Sequence, residues 1–318
     1  METGIIKQSH TEPTATVTAA LFDEFSRYLD VPSKRTAELY CWNVMRFLEW
    51  LDVHGITQPT RADVLAYRDE MKATHTAATV RLQVYALRRF FSWTESAGRY
   101  ANIARGVKAP NVKAGHKRDA LTAEQVKNLL NGIDRTTLAG ARDYAMLRLM
   151  VAAGLRDTEV TTADDNDLRH IGTVPVIVVM GKGHTEKDDY VRLDPKTYKA
   201  IREYQRRRNA VQGLKNGPIF VSLSNSNRGE RLTTRSVSKI VKTHMLDAGL
   251  DSDRWTAHSL RHTAVTLALE SGARLDAARQ FARHANLQTT LTYVHDIEQL
   301  NNECSRLIAS AIDGVAGV

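Results

Sequence analysis

The segment TAHSLRHTAV, residues 256–265, sets two imidazoles and a guanidinium among apolar side chains. At helical spacing His258 and Arg261 share one face, and His262 lies beside them. An imidazole exchanges protons near neutral pH. A guanidinium stays charged and holds an anion through paired N–H donors. The start of a helix adds unpaired backbone N–H groups that attract phosphate. Leu260, Ala264 and Leu267 supply the apolar face that would anchor such a helix. Elsewhere in the chain Arg156 follows Gly-Leu, Lys182 stands between two glycines, His284 follows Arg283, and Tyr293 lies in TTLTYVH. Taken singly, each has an ordinary structural explanation. Arg156 can pair with Glu159, His258 can cap a helix, and Tyr293 can sit in a core.

Other motifs fail on spacing. A Walker loop around GKG needs glycine at 176 and Ser or Thr after the lysine, where Val176 and Gly183 stand. Asp164, Asp165 and Asp167 lack the calcium-loop pattern and read as a solvated turn. There is no HExxH and no paired-cysteine zinc pattern, so no metal site is expected.

The elements that must hold these residues follow from periodicity. With 318 residues, 42% of them hydrophobic, the chain has room for two folded domains. Residues 18–101 read as a four-helix domain. Phe25, Phe47, Met71, Val84 and Phe91 fall on successive buried faces, Thr60 opens the third helix, and Gly55 and Gly98 end the second and fourth. Residues 102–118 lack helical periodicity, and Arg105, Lys108, Lys113, Lys117 and Arg118 make them an extended basic linker. Residues 119–318 read as a mostly helical domain with a small antiparallel sheet. Thr122 and Gln125 form a capping box, and Val174–Met180 and Tyr190–Leu193 a hairpin. Asp194-Pro195 starts a helix, and further helices are expected at about 138–153, 195–211, 234–248, 258–271, 275–284 and 287–294, with a tail helix carrying Leu307, Ile308 and Ile312. The expected fold class is therefore mainly α.

Lys and Arg outnumber Asp and Glu by 44 to 36, for a net charge of +8, which favours a polyanion partner, nucleic acid before membrane surface. Cys41 and Cys304 form no disulfide framework, which fits a reducing cytoplasm. METGIIKQSHTEPTATVTAA lacks the apolar core of a signal peptide, and no run of about 18 apolar residues is present to span a membrane.

Taken together, AAGLRDTEV around Arg156, GKG at Lys182, HSLRHT from His258, RH ending at His284 and TTLTYVH around Tyr293 resemble the tyrosine recombinase, or phage integrase, family. ALRRFFSW in the fourth helix resembles that family's core-binding domain, and the likeness covers roughly residues 18–300. Where the family usually has glycine before its second histidine, this sequence has Arg283. Lys187, later in the same hairpin, rivals Lys182.

The resemblance implies phosphoryl transfer on DNA with no metal or cofactor. Tyr293 would attack a phosphate and leave a 3′-phosphotyrosine and a free 5′-hydroxyl. It implies that Arg156, Arg261 and His284 stabilise the phosphate, that His258 accepts the tyrosine proton, and that Lys182 protonates the departing oxygen. The implied partners are double-stranded recombination sites and a tetramer of this chain assembled on them. Candidate DNA contacts are Arg81, Arg88 and Arg89, the linker bases Lys113, Lys117 and Arg118, and Arg235, Lys239 and Lys242. The rival readings are a type IB topoisomerase and a catalytically idle DNA-binding regulator on the same scaffold.

If the two domains engage on the order of 6–10 phosphates, DNA affinity should fall by about 10³–10⁵ between 50 and 200 mM salt. Equilibrium binding across that range checks this, and a flat response would contradict a clamp built on basic side chains.

Overall fold

The computed structural model describes residues 19–29, 34–112, 120–181, 186–213, 216–284, 286–300 and 303–313. Its contacts divide the chain into two units, Met1–Ala114 and Gly115–Val318. The candidates Lys113, Lys117, Arg118 and Lys182 lie outside the described residues.

The first unit contains α1 (Ala19–Tyr28), α2 (Lys34–Val53), α3 (Arg61–Thr74) and α4 (Ala77–Ser96). Its core is aromatic: Phe25, Phe47, Phe90 and Phe91 are wholly buried. Phe25 meets Phe90 edge-on at 5.1 Å, and Phe47 meets Phe91 at 6.0 Å, the geometry that aromatic quadrupoles favour. The caps are those expected. Thr60 Oγ1 accepts from the Ala62 N–H at 3.2 Å while Asp63 accepts from the Thr60 N–H at 2.7 Å, and Gly55 and Gly98 adopt left-handed backbone after α2 and α4.

One expectation needs correction. Residues 102–109 do not run as an extended linker, because Ala104 and Val107 are buried in this unit's core beside Tyr100. Their short apolar spacing carries no helical period, yet it is enough to pack. Three arginines satisfy the carbonyls of this segment: Arg61 donates to Arg105 O, Arg68 to Lys108 O at 3.3 Å, and Arg88 to Val107 O.

The second unit contains α5 (Ala123–Asn131), α6 (Leu138–Ala152), α7 (Asp157–Thr162), β1 (Leu168–Ile171), β2 (Val174–Val179), β3 (Asp189–Arg192), α8 (Pro195–Gln212), α9 (Thr234–Asp247), α10 (Ala257–Glu270), α11 (Leu275–Ala282), α12 (Leu287–Leu300) and α13 (Cys304–Asp313). Helix α6 is buried on nearly every face and packs against α8 and α10. The sheet is antiparallel in the order β1-β2-β3, and Val179 pairs with Asp189 at the closing end of the β2–β3 hairpin. Strand β1 was not expected, since its residues are mostly exposed and do not alternate. Helix α7 is only six residues long and rich in threonine, which gives it no periodic signature.

The acidic cluster is not a solvated turn. Asp165 Oδ2 pairs at 2.7 Å with Arg208, a fully buried guanidinium. Asp164 and Asp167 both bind the Lys187 ammonium, and Asp164 also binds Arg231 at 2.5 Å. A buried cation such as Arg208 needs a carboxylate, and Asp165 supplies it. No helix among the described residues is long and apolar enough to cross a membrane.

Candidate active site

The site begins where α6 ends. Gly154 takes φ +62°, a conformation that favours glycine, and a Cβ there would crowd the Phe281 ring at 3.0 Å. The chain then turns into α7, with Arg156 at its cap. The Glu159 carboxylate closes this turn: Oε2 accepts from the Arg156 N–H at 2.8 Å and Oε1 from its Nη1 at 2.6 Å. Glu159 Oε2 also accepts from Arg283 at 2.6 Å. The Glu159 side chain is 2% exposed. Burial pushes its pKa up, but Arg283 and the Arg156 backbone and charge outweigh burial and hold it below the usual carboxylate range.

Arg261 lies at the start of the second turn of α10 and is almost wholly buried. It donates to Gly154 O at 2.5 Å and to Ala282 O, the last residue of α11. Burial, then the nearby Arg156 and Arg283, lower its pKa to about 9, so it remains a cation at neutral pH. An entering anion would relieve that repulsion. His258, one turn earlier on α10, is exposed and borders the same groove.

Arg283 ends α11 in the left-handed region, at φ +51° and ψ +47°. That conformation costs a non-glycine residue about 1–2 kcal/mol. It turns the chain so that the Arg283 carbonyl accepts from Arg156 at 3.3 Å and His284 follows directly. His284 Nδ1 lies 3.0 Å from Thr290 Oγ1 on α12. Burial first, then Arg261, Arg156, Arg283 and His258, depress the His284 pKa to about 4. The ring is therefore neutral at pH 7. If its Nδ1 accepts from the Thr290 hydroxyl, its proton sits on Nε2.

Tyr293 on α12 is 4% exposed, with its ring 4.6 Å from that of His262 and 6.1 Å from that of His284. Arg156, His258, Arg261, Arg283, His284 and Tyr293 border one groove of about 1020 Å³, together with Gly181 and Asp189 at the two ends of the hairpin connection. Five of the six sequence candidates for chemistry thus meet, and the sixth, Lys182, directly follows Gly181. The rival Lys187 is committed elsewhere: its ammonium donates to Thr162 O at 2.7 Å and to Asp164 and Asp167. Burial works against its charge, and the two carboxylates outweigh burial and raise its pKa.

Sequence reasoning missed two contributors. Arg283 carries a side chain where only a turn was expected, and Thr290 fixes an imidazole. His262, which the sequence sets beside His258 and Arg261 in a structural role, packs on the tyrosine.

Among the DNA-contact candidates, Arg89, Arg235 and Lys239 are exposed. Arg81 is half-buried with its guanidinium 5.5 Å from the Tyr85 ring centre. Arg88 leaves the exposed set, since it is half-buried, bonded to Val107 O and packed against Tyr85. Lys242 is half-buried and donates to Ser252 O at 2.7 Å.

Comparison with known proteins gives a consistent result. The phage integrase family matches residues 119–299, and the phage integrase N-terminal SAM-like domain matches residues 22–98. Tyrosine recombinase XerC of Proteus mirabilis is 32% identical over 283 residues, which cover 86% of this chain and 88% of that one. Tyrosine recombinase XerD of Listeria monocytogenes is 29% identical over 289 residues, 86% and 93% of the two chains. Among solved structures, the XerH site-specific recombinase in its post-cleavage complex with palindromic difH substrate gives a TM-score of 0.72 at 20% identity, over 91% of this chain and 84% of that one. A lambda integrase dimer bound to a COC′ core site gives 0.64 at 15% identity, over 86% and 97%. These two likenesses are likenesses of fold.

The depressed His284 pKa has a consequence for stability. Between about 6.5 and about 4 an unfolded histidine holds a proton that folded His284 excludes, so unfolding takes up protons and stability falls as pH falls through that window. Melting temperatures of the unaltered chain and His284→Gln across this range check it. The decline should be shallower in the variant, and equal slopes would contradict the burial of a neutral imidazole.

Proposed function

The chain belongs to the phage integrase family, and from that membership we propose that it cuts and rejoins DNA at specific sites as a tyrosine recombinase with Tyr293 as its nucleophile. The observation that carries this reading is the meeting of Arg156, Arg261, His258, His284 and Tyr293 around one groove, drawn from segments far apart in sequence.

The chemistry follows from the groups. The Tyr293 oxygen attacks a backbone phosphorus and His258 takes its proton. The bond to the 5′ oxygen breaks, and Lys182 supplies the proton that this oxygen needs. The products are a 3′-phosphotyrosine and a free 5′-hydroxyl. A 5′-hydroxyl from a second strand then reverses the step, so the bond energy is conserved. In the transition state, charge builds on the non-bridging oxygens. Arg156 and Arg261 meet it with planar donors, and neutral His284 adds one through Nε2. Removing one such donor typically raises the barrier by about 3 kcal/mol. Lys182 is favoured over Lys187 as the acid because Lys187 is held between two carboxylates with its pKa raised, while Gly181, next to Lys182, borders the groove.

In this reading residues 18–101, with 102–109 packed on their core, are the core-binding domain, residues 119–318 the catalytic domain, and a basic linker joins them from about residue 110 onward. Arg89, Arg235 and Lys239 contact DNA phosphates. Four copies assemble on paired sites, in the cytoplasm. The tail supports assembly: on α13, Leu307, Ile308 and Ile312 are 58%, 59% and 77% exposed, an apolar stripe suited to docking on a neighbouring copy.

Two experiments test the roles. Tyr293→Phe should still fold and bind DNA yet form no covalent adduct on a nicked substrate, while adducts that persist would move the nucleophile to Tyr190 or Tyr198. Lys182→Ala should be severely slow on ordinary DNA and near normal on DNA with sulfur at the bridging 5′ position, because a thiolate leaves without a proton. Arg261→Ala should gain no such rescue. Rescue of Lys187→Ala instead would exchange the two lysines.

A further inference from the structure

Arg283 is not among the groups used by the chemistry above, yet it occupies the middle of the site. Apart from Asn216, it is the only non-glycine among the described residues with positive φ. If the chain required only the turn there, glycine would make it without strain. The arginine side chain is 7% exposed and bonded on several sides: to Glu159 Oε2 at 2.6 Å, to Phe281 O at 3.1 Å and to Gly154 O at 3.4 Å, with Asp189 Oδ2 at 4.0 Å from its Nε. Its backbone takes part as well, since its carbonyl accepts from Arg156 while that of Ala282 accepts from Arg261.

We propose that Arg283 is a positioning residue for the phosphate-binding groups: it occupies the second oxygen of the buried Glu159 carboxylate and holds the turn that presents consecutive carbonyls to Arg261 and Arg156 and then His284 to the phosphate. The inference rests on the recombinase reading above. Its physical basis is a charge balance. Glu159 has two oxygens, and each takes one guanidinium, Arg156 on Oε1 and Arg283 on Oε2. Without Arg283 the carboxylate is balanced by Arg156 alone, which draws that charge away from an incoming phosphate. With it, three guanidiniums around one carboxylate leave a net of two positive charges. A phosphodiester brings one negative charge, and tyrosinate attack raises that to two. The surplus therefore matches the transition state better than the ground state, which is the condition for speeding chemistry rather than binding.

The test uses the full chain and a nicked duplex bearing a site that the unaltered chain has selected from a randomised duplex library. Single-turnover adduct formation, DNA affinity and melting temperature are measured for R283G, R283Q, R283K, E159Q and the double variant R283G/E159Q. R283G should bind DNA as tightly as the unaltered chain and form adduct about 10²-fold more slowly, the scale of a misplaced catalytic group. R283K should recover part of that rate. The double variant should be no slower than the slower single variant, because Glu159 and Arg283 act on Arg156 as a pair. If R283G does not fold, R283Q carries the same expectation. An unaltered rate in R283G or R283Q, or losses that multiply in the double variant, overturns the proposal. Failure of the unaltered chain to form adduct on DNA that it has itself selected overturns the recombinase reading, and this inference with it.

Discussion

A buried carboxylate with one charge and several claimants organises this site. Glu159 is 2% exposed, and a desolvated charge of that kind persists only when fully paired. Its partners come from both ends of the sheet-bearing unit: the Arg156 side chain and N–H from the turn after α6, and Arg283 from the end of α11. Arg261 joins through shared carbonyls, since Gly154 O accepts from both Arg261 and Arg283. Removing the carboxylate would leave like charges facing one another in a low-dielectric pocket. The arrangement therefore stores repulsion among three cations that only an anion can relieve, and the lowered pKa of Arg261 registers it.

The same field settles the state of the other groups. His284 is half-buried among arginines, and burial first, then their charge, keeps it neutral rather than a further cation. Lys187, in the connection of the hairpin, is drawn into the Asp164 and Asp167 cluster. Acidic residues that look like a surface turn thus hold Lys187 in a structural ion-pair cluster.

Much of this was legible in the sequence. The helices follow from 3.6-residue periodicity, and Thr60, Thr122 and Asp194 make the caps that their residue types imply. Arg156, His258, Arg261, His284 and Tyr293 were legible as a set through their resemblance to the tyrosine recombinase family, in whose order and spacing they stand. What escaped was non-local. The segment that buries Ala104 and Val107 has the carbonyls of Arg105, Val107 and Lys108 bonded by arginines 19 to 44 positions away. The pairing of Asp165 with Arg208 spans 43 positions, and that of Arg283 with Glu159 spans 124. Strand β1 escaped for a local reason, since an exposed four-residue strand without alternation has no periodic signal. Where tertiary pairing assigns a charged residue its role, composition and periodicity are silent.

The arginine cluster around Glu159 is proposed to hold a phosphodiester in front of Tyr293. A crystal structure of the chain on cleaved DNA ends joined by orthovanadate, which imitates phosphorus in attack, tests it most directly. The account predicts Tyr293 Oη in line with the 5′ oxygen across the vanadium, Arg156, Arg261 and His284 within hydrogen-bond distance of the equatorial oxygens, and Glu159 still bridging Arg156 and Arg283. Vanadate bound without the two arginines, or opposite a different tyrosine, would contradict it.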